Sequence, residues 1–286
     1  MDERKATTKG TRKRLRVVLL CLIVFVGSVL GMFQVGVVYT DTTWERWCPD
    51  YAKVDITPVL NKQILTETDY ELLYHQTGLS KSAIDDMRVK TGGIRRIQEI
   101  QTNFFTDFEM KSYWFAPFTY MDEIKGLAKL CDLKDGDIIV SSTTRVSWWR
   151  YGHSALVSNG ERKELVECIG PGVKSKNNSA DTFAYLGNFL VLRPKINETI
   201  KAQVASYAQE HLIGLTYRFS IGLFSPKYVE DIRISQCAHL VWYAYKKFGF
   251  DLDSNGGWLV KPQDIALSEH VEVVQTFGFD PDTLWV

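Results

Sequence analysis

The chain has 286 residues, of which 45% are apolar and 13% aromatic, with 34 Lys and Arg against 34 Asp and Glu. This composition excludes a disordered chain and a disulfide-dense small protein, and it leaves room for one large domain or two small ones. The charge is unevenly spread: residues 1–16 carry seven bases and two acids, while the remainder carries 27 bases and 32 acids. A mildly acidic body argues against nucleic-acid binding, which needs a basic face.

Residues 17–39 form an apolar run without a charged side chain. As a helix these 23 residues would span about 35 Å, enough to cross a hydrocarbon core of about 30 Å. A cleaved signal peptide is the alternative, but its apolar region is usually about 7 to 15 residues and ends at a small-residue cleavage site. We expect an uncleaved anchor in the membrane bilayer, with residues 1–16 as a cytoplasmic tail and everything after about residue 40 outside.

Residues 40–133 are predicted to form a helical, aromatic-rich extension. Thr66 and Asp69 have the spacing of a capping box, Gly78 is a helix stop, and Ser80 can cap the next helix. A third helix is expected after Gly92. The aromatic residues between 103 and 120 are expected to pack this extension onto a core rather than to bind a cofactor.

From residue 134 the pattern changes to short apolar strands and then to two helices. Asp135-Gly136-Asp137 is a turn signal before the first strand. The strands are expected at 138–140, 154–158, 164–169 and 189–192. Asn197 is expected to cap the first helix, and Gly249 to end the second, which begins near Cys237.

Three residues of this region have the chemistry of a nucleophilic site. Cys237 lies at a helix N-terminus, where unpaired N–H groups and the helix dipole stabilise a thiolate. His153 follows Gly152 at the head of a strand, where a base can face a cleft. Glu167 lies in an otherwise apolar strand, and a buried carboxylate there needs a partner such as an imidazolium. A buried, inert cysteine is the alternative interpretation for Cys237.

The other cysteines and the asparagine triplets give weaker signals. The spacing of the cysteines matches no zinc framework, so no metal site is expected, and no phosphate-binding or dinucleotide loop indicates a cofactor. Cys48 and Cys131 are compatible with either a disulfide or free thiols. Asn177-Asn178-Ser179 fits the glycosylation pattern, as does the triplet at Asn197, but such triplets are common by chance.

In these features the chain resembles the YiiX-like branch of the permuted NlpC-type, papain-like cysteine hydrolases. The resemblance covers roughly residues 134–268. The segments that carry it, in chain order, are Gly136-Asp137-Ile138-Ile139, Gly152-His153-Ser154-Ala155, Glu167, Gly170-Pro171-Gly172-Val173, Leu192-Arg193-Pro194, Cys237 with the helix after it, Asp251-Leu252-Asp253 and Pro262-Gln263-Asp264. The implied fold is an α+β, circularly permuted papain-like domain over residues 134–286, with a small antiparallel sheet packed on the Cys237 helix.

The resemblance also implies roles for individual residues. Cys237 would be the nucleophile, His153 the general base and acid, and Glu167 the residue that orients the imidazole. Tyr217 matches a family tyrosine that lines the cleft. At Gln236 this chain departs from the Tyr-Cys-Ser pattern that is frequent in the family, and its amide is a candidate donor to an oxyanion. Independently of the family, Trp149 is a candidate wall of the cleft.

Together these features predict a membrane-anchored, extracellular thiol hydrolase that cleaves an amide bond through a Cys thioester. Cell-wall peptide is the expected substrate class for a bacterial enzyme tethered outside the cell. A lipid acyl ester or amide is the alternative substrate, handled by hydrolysis or acyl transfer. The alternative from another class of protein is a catalytically silent surface-binding module with the same fold.

Overall fold

The computed structural model describes residues 3–43, 46–112, 119–121, 128–145 and 149–285. These residues divide into two compact units, one formed by the chain up to residue 45 together with 146–149, the other by 46–145 and 150–286. The first unit contains α1 (Glu3–Thr43). Its segment Lys13–Tyr39, with a mean hydropathy of 2.5, is long and apolar enough to cross a membrane. This agrees with the apolar helix predicted at 17–39.

The second unit is built on a six-stranded, wholly antiparallel sheet with strand order β10-β7-β3-β4-β5-β6. The prediction of a mixed α and β chain with an antiparallel sheet is therefore confirmed. The strands of this sheet are β3 (Ile138–Ser141), β4 (His153–Asn159), β5 (Glu164–Glu167), β6 (Lys176–Ser179), β7 (Phe189–Pro194) and β10 (Val271–Phe277). Two small pairs lie outside it, β1 (Met110–Ser112) with β2 (Thr119–Met121), and β8 (Thr216–Tyr217) with β9 (Ile234–Ser235).

Side chains alternate between the two faces of this sheet, and each face is covered by helices. Ile139, Ala155 and Val191 share a core with the helical segment that precedes the sheet. Ile138 and Leu156 share the opposite core with the two long helices that lie between β7 and β10 in the chain. The sheet is thus the middle layer of the unit, and its strands read as continuous apolar runs because both faces are buried.

The helical segment follows the capping signals of the sequence. The Thr66 side chain and the Asp69 carboxylate form the predicted capping box, Gly78 ends the helix at φ 69°, and Ser80 caps the next one. The helices are α2 (Thr57–Leu60), α3 (Glu67–Thr77), α4 (Lys81–Arg88) and α5 (Gly93–Phe104). Residues 113–118, which belong to the aromatic stretch predicted to pack onto a core, lie outside the described residues.

The helices of the opposite face are α6 (Glu198–His211), α7 (Cys237–Lys247) and the short α8 (Pro262–Ala266). The Asn197 side chain caps α6 as predicted, by accepting the Thr199 N–H. Gly249 follows α7 with φ 89°. α7 is buried along almost its whole length, which fixes the position of its first residue, Cys237.

A buried ionic cluster joins the two layers. The Arg193 guanidinium, on β7, donates to both carboxylate oxygens of Asp137 and to Asp86 on α4. Asp137 is fully buried, and an unpaired charge there would be costly. The predicted boundary between residues 133 and 134 therefore falls inside a shared core.

The strand predictions differ from the structure in two ways. β5 ends at Glu167 rather than at 169, and the short pairs β1–β2 and β8–β9 were not expected, nor were β6 and β10. β1 and β2 lie within residues 40–133, which were predicted to be helical. β6 has no apolar alternation because it is a solvent-exposed edge strand, so the period-2 signal is missing. A short 3₁₀ helix at Ala180–Tyr185 follows it and buries Phe183.

Candidate active site

Cys237 is the first residue of α7, and its cap is the side chain of the preceding residue. The Gln236 carbonyl Oε1 accepts the Ala238 N–H at 2.9 Å and lies 3.2 Å from the Cys237 Sγ. The thiol is therefore fixed at the positive end of an eleven-residue helix, where negative charge is stabilised. Only 3% of the Cys237 side chain is exposed.

His153 is placed by the glycine before it. Gly152 has φ 90°, and a Cβ at this position would lie 2.8 Å from the Ser141 carbonyl oxygen. Only glycine satisfies both conditions without strain. The imidazole that follows is buried and stacks on the Phe183 ring, with centroids 5.6 Å apart and planes 15° apart. Stacking alone thus restrains the plane of the imidazole ring.

Glu167 lies at the end of β5 and meets His153 across the β4–β5 pair. Leu156 pairs with Val166, so the strand alternation puts His153 and Glu167 on the same face as near neighbours. The Glu167 Oε2 is 2.8 Å from the His153 Nε2, and both side chains are buried. The other oxygen, Oε1, accepts a hydrogen bond from the Asn178 Nδ2 at 2.5 Å.

The Cys237 thiol also lies close enough to the imidazole to raise the pKa of His153. Because Nε2 faces Glu167, the ring nitrogen left for the Cys237 Sγ is Nδ1. α7 packs in the core on one face of the sheet, and Phe183, on which the imidazole stacks, packs in the core on the other face. The thiol and the imidazole therefore meet where β4 begins. The structure thus brings together Cys237, His153 and Glu167, with His153 interacting with each of the other two.

The electrostatics of these three residues favour a charged imidazolium. Burial alone would lower the pKa of His153, but its hydrogen bonds with Cys237 and Glu167 and their negative charges raise that pKa to about 10. Burial alone would raise the pKa of Glu167, but the hydrogen bond and positive charge of His153, helped by Asn178 and Lys176, hold it below its usual value. The arrangement can therefore hold a thiolate beside an imidazolium, the reactive form of a cysteine nucleophile.

The other three sequence candidates differ in their placement. Tyr217 on β8 is half-buried, and its pKa is raised by burial and then by the nearby Cys237 and Cys168 thiols, so it lies beside the site. The Gln236 Nε2 donates to the Val260 carbonyl at 2.6 Å, so this amide serves first as a helix cap and loop anchor. Trp149 is exposed and belongs to the unit that contains α1, so its predicted place in the cleft stays a prediction.

Sequence reasoning missed four residues of the site. Asn178 holds Glu167, and Phe183 supports the imidazole. The Tyr151 hydroxyl donates to the same Val260 carbonyl as Gln236, and the Cys168 thiol, with its pKa raised to about 12 by burial, points at the Ser235 carbonyl. A carboxylate in an apolar strand does imply a partner, but the sequence does not show which residue across the sheet supplies it.

His239, two residues after Cys237, is a structural residue. Its Nε2 donates to the Lys227 carbonyl at 2.7 Å and its Nδ1 lies 2.9 Å from the Ser235 hydroxyl. Burial lowers its pKa to about 4, so it is neutral at physiological pH. It braces the loop at Lys227 against the first turn of α7.

All five cysteines are free thiols, Cys48 and Cys131 included. Among the described residues no group of three or more His, Cys, Asp or Glu side chains could hold a metal ion.

No protein-family model matches the sequence, and no curated protein is significantly similar to it.

Proposed function

We propose that this protein is a cysteine hydrolase of the permuted NlpC-type, papain-like class, as its resemblance to the YiiX-like family suggests. The observation that carries the proposal is the buried group of Cys237 Sγ, the His153 ring and the Glu167 carboxylate, with the thiol at a helix N-terminus. Base, carboxylate and nucleophile follow each other along the chain in the permuted order. The antiparallel sheet between helical layers is compatible with that fold.

The mechanism begins with attack of the Cys237 thiolate on the substrate carbonyl carbon, which forms an S–C bond and a negatively charged oxygen. The Cys237 backbone N–H, at the first helical position, has no partner within the helix and can donate to that oxygen. The His153 imidazolium then gives its proton to the leaving amine as the C–N bond breaks. What remains is an acyl thioester on Cys237 and a neutral His153.

Water completes the cycle. Neutral His153 takes a proton from a water molecule whose oxygen attacks the thioester, and the C–S bond breaks to release a carboxylic acid and the Cys237 thiolate. The proton stays on His153, so the thiolate and imidazolium are restored. Glu167 remains ionised throughout and stabilises the imidazolium through Nε2.

For location, we propose that α1 anchors the chain and that the second unit acts outside the cell. The seven bases of residues 1–16 favour retention of the N-terminus in the cytoplasm. Cell-wall peptide is the amide-containing substrate that a tethered bacterial enzyme would meet there.

A second candidate substrate, a lipid acyl ester or amide, is favoured by two loops beside the site. Phe224, in the loop 218–229, is 84% exposed, and Trp258, in the loop 253–260, is 72% exposed.

The loops are tied together by Lys227, which donates to the Gly257 carbonyl and pairs with Asp253. They are tied to the site by the Val260 carbonyl, which accepts from Gln236 and Tyr151. Exposed aromatic rings on loops that are linked in this way to the site could hold an acyl chain.

The test measures turnover of two probes by the purified full chain: cell-wall stem peptides, followed by amine release, and phosphatidylglycerol vesicles, followed by fatty-acid release. Cys237→Ala should abolish either activity, whereas Cys48→Ala, at a half-buried thiol, should leave it unchanged. Selective loss of vesicle turnover in Phe224→Ser and Trp258→Ser would support the lipid candidate. If neither probe is turned over and Cys237 does not react with iodoacetamide at pH 7, the silent binding module replaces the enzyme.

A further inference from the structure

Besides His153, the Glu167 carboxylate has a second hydrogen-bond partner, which lies on the edge strand of the sheet. β6 is the outermost strand and is almost entirely polar and exposed. Glu167 pairs directly with Lys176, so Asn178, two residues further along, lies on the same face and diagonal to the carboxylate. Asn177 between them points to the other face and pairs with Val166.

The contact of Asn178 with Glu167 fixes the rotation of the carboxylate. The Asn178 Nδ2 donates to Oε1 at 2.5 Å while His153 bonds to Oε2 at 2.8 Å, so each oxygen has one partner. Without Asn178, Oε1 would need a water molecule in a site where Glu167 is 97% buried. A buried carboxylate with an unsatisfied oxygen loses much of its stabilisation as an anion.

From this geometry we infer that Asn178 is a positioning residue of the candidate active site, a fourth member that acts on Cys237 through Glu167 and His153. This inference rests on the proposed function, because it assigns Asn178 a role in preparing the nucleophile. Asn178 does not touch the reacting atoms: it holds one carboxylate oxygen so that the other faces the imidazole. The edge strand carries no core residues, so this contact gives the strand a role other than packing.

The remaining contacts of this segment explain why β6 can position a side chain so close to solvent. The Ser175 hydroxyl donates to the Leu212 carbonyl at 2.7 Å and accepts the Leu215 N–H at 2.8 Å. Lys174 forms a β-bridge with Thr216, next to Tyr217. The start of β6 is thereby fixed to the loop after α6, and the strand is held along its other side by β5.

The experiment measures the second-order rate of iodoacetamide with Cys237 in the full chain, by peptide mapping, from pH 5 to pH 10. Asn178→Ala should slow labelling at pH 7 by roughly three- to tenfold, and the pH range of rapid labelling should narrow, because the imidazolium is less stabilised. Asn178→Asp should slow it further, since a second carboxylate would face Glu167. Asn177→Ala is the matched control on the same strand and should behave as the unmodified protein.

A double substitution tests whether Asn178 acts through Glu167. Once Glu167→Gln is present, adding Asn178→Ala should change the labelling rate by less than twofold, because coupled residues are not additive. Equal effects of Asn178→Ala and Asn177→Ala, or full additivity with Glu167→Gln, would overturn the inference. Either result can be read while Cys237 still labels rapidly, so it is distinct from failure of the proposed function, in which Cys237 does not label in the unmodified protein. Circular dichroism confirms that each variant is folded.

Discussion

At the scale of single residues, the hydrogen bonds of Glu167 determine which tautomer His153 adopts. In the Glu167→Gln variant the amide oxygen would face the Asn178 Nδ2, leaving the amide N–H₂ group to face the His153 Nε2. The imidazole would then carry its proton on Nδ1, toward Cys237, and could not accept the thiol proton. We expect turnover to fall by about 10² to 10⁴, bounded by the loss seen when a triad carboxylate is neutralised.

The measurement for Glu167→Gln is the rate with a substrate or thiol probe, alongside a thermal unfolding curve. The curve should show a folded protein, because the amide has the size of the carboxylate. The exposed Glu71→Gln variant is the control and should be inert in both assays. Unchanged kinetics in folded Glu167→Gln protein would leave a Cys237–His153 dyad.

His153 also gives the stability of the protein a defined pH dependence. Its pKa is about 10 in the folded chain and near 6.5 in an unfolded one, so the folded state retains a proton that the unfolded state loses above pH 6.5. In the proposed thiolate–imidazolium pair this proton comes from Cys237, so the folded and unfolded chains differ in bound protons only where an unfolded cysteine also loses its proton, above about pH 8.5. Denaturant unfolding between pH 8.5 and 10 should therefore show the contribution of the pair falling by up to about 1.4 kcal/mol per pH unit.

The same titration of His153→Ala is the control for this prediction. Its stability should vary less with pH over that window. Burial also raises the pKa of Cys131 and of Cys168 to about 12, but both proteins contain these thiols, so their effect cancels when the two slopes are compared. A slope in His153→Ala equal to that of the unmodified protein would assign the effect to another group.

At the scale of elements, the turn before β4 determines where the base lies. Gly152→Ala would combine a positive φ with a contact of 2.8 Å to the Ser141 carbonyl, so the β3–β4 connection must shift and move His153. We expect a loss of about 1 to 3 kcal/mol in unfolding free energy and a clear loss of Cys237 reactivity.

Gly172→Ala is the matched control, because Gly172 has φ 82° but open space around it. Its reactivity should be unchanged. Equal reactivity of the two variants would show that the turn does not position the base.

The elements that sequence reasoning found are those with strong local signals. Sequence reasoning correctly located the Thr66 and Asn197 caps and the apolar runs of β3 and β7. Capping and burial at these places depend on residues that are close together in the sequence. β6 was missed because an exposed edge strand needs no apolar alternation. For the same reason Asn178 was read only as part of a glycosylation triplet, since its role comes from pairing with a strand eleven residues away.

At the scale of the whole molecule, the helical segment and the sheet share one core. Ile139, Val157 and Val191 on the sheet pack with residues such as Leu73 and Ile97 of the helices. A fragment of residues 134–286 would expose that face and leave Arg193 without Asp86. We expect it to lack a cooperative unfolding transition. A fragment of residues 46–286, which keeps both layers, should unfold cooperatively. Cooperative unfolding of the shorter fragment would instead establish the predicted boundary at 133/134 as a domain boundary.

The proposed orientation of the chain rests on the charges at the ends of one helix. Residues 1–16 carry seven bases and two acids, whereas the nearest charged residues after the apolar run are the acids Asp41 and Glu45. Basic flanks stay in the cytoplasm, so the second unit should lie outside. In intact bacterial cells with tags at both ends, an impermeant protease should remove the C-terminal tag and leave the N-terminal one.

The same experiment separates an anchor from a cleaved leader. An anchor keeps the N-terminal tag on the full-length chain, whereas a leader would yield a shorter chain that has lost it. As a control, replacing Arg12, Lys13, Arg14 and Arg16 by Ser and inserting four Lys after residue 43 should favour the opposite orientation, because it reverses the charge difference. If the unmodified chain keeps its C-terminal tag while its N-terminal tag is digested, the second unit is cytoplasmic. A cytoplasmic site would exclude cell-wall peptide as the substrate and leave the chemistry of Cys237 to an intracellular amide or ester.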